Sequence, residues 1–76
     1  MQTIKQLFIN IGRTDINESM QNLVSDDIID SIDIMALVAE IERFYKAPLS
    51  AEFIVSENFE NFTKISAMLK KAYGQA

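Results

Sequence analysis

The apolar positions of this 76-residue chain fall into helical registers over three stretches and lose their period between them. In the first stretch Ile4, Leu7, Phe8 and Ile11 repeat at i, i+3, i+4 and i+7, the spacing that gathers side chains on one face of an α-helix. The pattern predicts a helix over about residues 3 to 12, with Thr3 as its cap. Gly12 stands at its end, because glycine takes the left-handed conformation of a helix C-terminus at little cost. The polar side carries only Lys5 and Arg13 as positive charge, so this face is expected to pack into the domain and not to lie on a membrane surface.

The strongest pattern runs from Ser31 to Tyr45, SIDIMALVAEIERFY, a run without Gly or Pro and rich in helix formers. Ile34, Leu37, Val38, Ile41 and Tyr45 build one apolar face, which should be core. At about 100° per residue, Ile32, Met35 and Ala39 form a second apolar stripe roughly opposite the first. Asp30 or Ser31 suits the N-cap, and Asp33 suits the positive end of the helix dipole.

Residues 13 to about 29 show no sustained period and read as a long loop. Asp15, Asn17, Ser19, Asn22 and Ser25 supply turn chemistry. Ile16, Met20, Leu23 and Val24 can pin the loop to the core. Glu18 to Gln21 is a candidate for a short helical turn. Beyond Tyr45, Pro48 breaks the helix and disfavours helical geometry at Ala47. A short third helix is expected within residues 50 to 60, with Ser50-Ala51-Glu52-Phe53 and Ser56-Glu57-Asn58-Phe59 as candidate turns. Asn61 then caps a last helix in which Phe62, Ile65, Met68 or Leu69, and Tyr73 face inward, with Lys70 and Lys71 near its negative end and Gly74 ending it. Phe53-Ile54-Val55 is the one strand-like run and has no partner. The fold class is therefore all-α: a small bundle of three main helices plus one short helix, with a long first loop, forming a single domain over residues 1–76.

Composition narrows the chemistry. Neither cysteine nor histidine occurs, which removes disulfides, thiolate and imidazole metal ligands, and Ser-His or Cys-His catalytic pairs. Ser31 has no base at a recognisable spacing and is not expected to be a nucleophile by its own chemistry; the protein is read as no enzyme. The formal net charge is −4. Asp26, Asp27, Asp30, Asp33, Glu40 and Glu42 precede the next basic residue, Arg43. That run argues against nucleic acid and for a basic protein surface as partner. Asp26, Asp27, Asp30 and Asp33 lack the glycine and final glutamate of a calcium loop, so no metal site is expected. No stretch has the length to span a bilayer or the form of a cleaved leader, and a cytoplasmic, monomeric protein without stable membrane insertion is expected.

The run Ile28-Ile29-Asp30-Ser31-Ile32-Asp33, followed by Leu37-Val38-Ala39-Glu40-Ile41-Glu42, resembles the modification site of acyl and peptidyl carrier proteins. These have an Asp-Ser-aliphatic core ahead of a helix with apolar and acidic residues in this order. The resemblance covers roughly residues 20 to 69 and is dense over 28 to 45. It implies the carrier-protein fold, with Ser31 as the attachment point of a covalent 4′-phosphopantetheine arm taken from coenzyme A by a phosphopantetheinyl transferase. It implies an acyl or aminoacyl group held on the arm as a thioester, for fatty-acid, polyketide, non-ribosomal peptide or cell-envelope biosynthesis. The implied partners are a loading ligase and downstream transferases or synthases, docking on Asp30, Ile32, Asp33, Met35, Ala39 and Glu40.

Two departures stand out. Many family members have a glycine three or four residues before the serine, where this chain has Asp27-Ile28, and Phe44-Tyr45 replaces the more usual aromatic-glycine ending of the second helix. Pro48-Leu49 and the long approach to Phe59 incline the resemblance toward D-alanyl or other specialised aminoacyl carriers. The competing reading is a helical interaction module of the same fold, never modified, that holds a partner helix on Ile32, Met35 and Ala39.

Overall fold

The computed structural model describes residues 2–74. Three helices, α1 (Gln2–Asn10), α2 (Ser31–Tyr45) and α3 (Phe62–Tyr73), are joined by the long first loop and by two 3-10 turns, Ala51–Phe53 and Ser56–Phe59. No strand occurs among the described residues. The all-helical expectation holds, and α2 begins and ends where its sequence pattern does.

The apolar stripes of the three helices meet in one core. Leu7, Phe8, Leu37, Ile41, Ile65 and Leu69 are buried at its centre, each worth about 1.5–3 kcal/mol relative to exposure. Phe8 of α1 and Phe62 of α3 stack with ring centroids 5.6 Å apart and planes 6° apart. Of the inward face read for α2, Leu37, Val38 and Ile41 are buried, while Ile34 and Tyr45 pack half-buried at its edge. Both Met68 and Leu69 face inward in α3. Tyr73 stacks on Tyr45 at 4.3 Å, and its hydroxyl donates to the Ala47 carbonyl at 3.1 Å.

Three local expectations change. Thr3 does not precede α1 as a cap, because the helix has begun by Gln2. The expected short third helix is instead the two 3-10 turns, separated by Ile54 and an extended Val55 (φ −127°, ψ 147°). Beta-branched residues at that point resist a continuous helix. At Glu18 to Gln21 a single turn closes one residue early, where the Met20 amide donates to the Asn17 carbonyl at 3.2 Å, and no helix continues from it. A helical turn closes further on, where the Asp26 amide donates to the Asn22 carbonyl at 2.9 Å.

That later turn ends in the manner of a helix C-terminus. Asp27 takes the left-handed conformation at φ 57°. Its amide donates to Val24 O at 3.0 Å, and those of Ile28 and Ile29 donate to Leu23 O at 2.9 Å. The pairing of an outer and an inner bond around a left-handed residue is the Schellman arrangement, in which glycine is the usual occupant. Ile16 and Leu23 are fully buried and hold the loop to the core, with Met20 and Val24 packed beside them.

Candidate functional site

Ser31 is the first residue of α2 and is exposed. The helix starts here because Asp30, in extended conformation, accepts the Asp33 amide on its side chain at 2.9 Å. In return, the Asp33 carboxylate accepts the Asp30 amide at 3.2 Å. This reciprocal capping box satisfies two of the free donors of the first turn. Asp30 is therefore the cap, and Ser31 keeps its hydroxyl for other uses.

The stripe read opposite the core face is outward. Ile32 is 77% exposed and Met35 57% exposed, and Ala39 is exposed. With Ser31 they form one surface along the first half of α2. Asp30 is exposed beside them, whereas Asp33 and Glu40 are only partly so. Asp33 Oδ2 accepts from Arg13 Nη1 at 2.7 Å. Glu40 accepts from the Asn10 amide group at 3.1 Å and faces Arg43 at 3.6 Å. Two of the three carboxylates expected to rim this surface are thus committed within the domain, and reversing the charge of Asp33 would break an internal contact. On the flank of Glu40, a cleft of about 490 Å³ opens between α1 and α2, lined by Leu7, Asn10, Glu40, Arg43 and Phe44.

Two residues that sequence reasoning passed over hold the segment leading to Ser31. Arg13 reaches from the end of the first turn system to the Ile28 carbonyl at 2.7 Å, to Asp33, and to both oxygens of Asp15 at 3.1 Å. The guanidinium hydrogen bond holds the Asp15 carboxyl below its ordinary range. Glu60, just before α3, takes the amides of Val24 and Ser25 at 2.9 and 3.0 Å together with the Ser25 hydroxyl, while its own carbonyl accepts from Leu23 at 2.7 Å. These bonds, the Ser25 hydroxyl foremost, lower the Glu60 pKa. The contacts of Arg13 to Ile28 and Asp33 and of Glu60 to Val24 and Ser25 cross 15 to 36 residues of chain, which no local spacing announces.

The sequence offers Ser31 no histidine, and Arg13, the basic group reaching this segment, is held charged by its carboxylates. Among the described residues no group of three or more acids is arranged to hold a metal ion, and no helix is long and apolar enough to cross a membrane. Comparison with family models, with curated proteins and with solved structures finds no match.

Proposed function

We propose that this chain is a carrier protein on which Ser31 accepts 4′-phosphopantetheine from coenzyme A. The carrying observation is the exposed Ser31 at the head of α2 with exposed Ile32 and Met35 beside it: a hydroxyl open to a modifying enzyme, next to an apolar surface on which that enzyme can rest. The Asp-Ser-aliphatic run at the same place supports the reading. The bound arm would supply a thiol, absent from the chain itself, to hold an acyl or aminoacyl group as a thioester.

The serine oxygen attacks the phosphorus that bears pantetheine. A serine O–P bond forms, the pyrophosphate P–O bond breaks, and the adenosine bisphosphate half leaves with the electron pair. The serine proton passes to a base of the transferase, as required for a hydroxyl without an internal base. The resulting phosphodiester lies at the N-terminus of α2, where the helix dipole favours negative charge. Asp33 adds a second negative charge nearby, offset by Arg13.

Incubation with coenzyme A and a broad-specificity phosphopantetheinyl transferase should add one arm to the wild-type chain and none to Ser31→Ala, read by intact mass spectrometry. Absence of labelling of folded wild type by several competent transferases would overturn the proposal. Full function of Ser31→Ala in cells would favour the unmodified interaction module.

A further inference from the structure

The capping box ties Asp30 to Asp33 but acts only within one turn. It starts the helix without fixing the arc from Ile28 to Asp33 against the rest of the domain. The Ile28 and Ile29 amides tie the start of the arc to the Leu23 carbonyl and Ile29 is buried; Arg13 is the side chain that joins both sides of the serine. Its Nη2 holds the Ile28 carbonyl before the serine, and its Nη1 holds Asp33 Oδ2 after it, both at 2.7 Å. The guanidinium is a rigid planar fork, so two bonds in different directions fix position and orientation together.

The base of the fork is itself fixed. The Arg13 amide donates to the carbonyl of the fully buried Phe8 at 2.9 Å, and Asp15 takes Nε and Nη2. The side chain is 23% exposed and the Asp33 side chain 24%, so water competes for the pair less than at an open surface. A continuous set of contacts therefore runs from the core through Arg13 to both sides of Ser31.

We propose that Arg13 is a positioning residue for the modification of Ser31, holding residues 28–33 so that the hydroxyl meets the phosphorus in line and cancelling the Asp33 charge beside it. This rests on the carrier reading. Reacting atoms must come within about 3–3.5 Å in the right direction, and a misplacement of about 1 Å can cost on the order of a hundredfold in rate. A serine on an arc held at its start alone spends less of its time so aligned.

The test uses Arg13→Lys, which keeps the charge and loses the fork, and Asp33→Asn, which removes the charge and so weakens that arm, its one side-chain oxygen standing where Oδ2 accepts from both Arg13 Nη1 and the Asp30 amide. For each, far-UV circular dichroism and cooperative unfolding report the fold, and amide hydrogen exchange compares residues 28–33 with α3. Transferase kinetics give kcat and KM for the carrier. Loss of folded protein alone raises the apparent KM and leaves kcat intact; a misaligned hydroxyl lowers kcat. The expected result is faster exchange confined to residues 28–33, a fall in kcat of about tenfold for Arg13→Lys, a smaller fall for Asp33→Asn, and a double variant no worse than Arg13→Lys alone. Unchanged kcat, losses carried by KM only, or additive effects of the two substitutions would overturn the assignment. If Arg13→Lys does not fold, Asp33→Asn decides by the same criteria. If wild type itself accepts no arm, the carrier reading is what fails, and with it this role for Arg13.

Discussion

The Asp27 turn offers a sharp test of how the segment before Ser31 is built. A left-handed conformation costs an L-residue roughly 1–2 kcal/mol, with Asp and Asn at the lower end because their short side chains bond locally. Asp27 holds φ 57° and is exposed, so its replacement uncovers no core. Glycine removes the steric cost but is freer in the unfolded chain, at about 0.5–1 kcal/mol. With Asp at about 1 kcal/mol, the balance favours Asp27→Gly by at most about 0.5 kcal/mol. For a domain of this size that raises Tm by no more than roughly 2–4 °C. Asp27→Ala is the control: alanine keeps the Cβ and loses the local polar atom, so it should be the least stable of the three. Urea unfolding followed by circular dichroism, with thermal scans alongside, gives the ranking. A glycine variant less stable than wild type, or an alanine variant equal to it, would refute the strain assigned to this turn.

Two further outcomes follow from the hydrogen bonds and burial. Glu60 has a lowered folded pKa because Ser25 and Val24 donate to it, so its contribution is fully present above the unfolded glutamate value of about 4.3. It is lost as pH falls through the depressed folded value. The urea midpoint of wild type should therefore fall more on acidification than that of Glu60→Gln, and equal slopes would count against the clasp. Tyr45 and Tyr73, the chain's two tyrosines, are both raised above 10 by burial. Ultraviolet titration should place their ionisation above the ordinary value in the native protein and return it to about 10 in urea.

The helices were legible because their causes are local and repeated. The apolar period sets the inward face of each helix, Asn61 accepts the Lys64 amide as the cap of α3 at 2.9 Å, and Gly74 ends that helix in the left-handed conformation. Gly12 does the same after α1. The exposed stripe of α2 could be read for the same reason, since one helical period fixes both of its faces.

The loop and the charges were decided by tertiary structure. Asp33 reads locally as an acid suited to the helix dipole, yet its carboxylate is shared between the capping box and Arg13. Glu60 reads as one more surface acid and is the clasp of the first loop. Asp27 stands where glycine would be expected, and the loop still closes, because Leu23 and Ile29 are buried on either side of the turn and compel it. Sequence alone determined where the helices lie, which faces they bury, and that Ser31 heads α2, because those properties depend on residues within a turn or two of one another. Which polar groups remain free around Ser31 was decided only when distant segments came together, because a hydrogen bond between such segments depends on their approach in space and leaves no period in the chain.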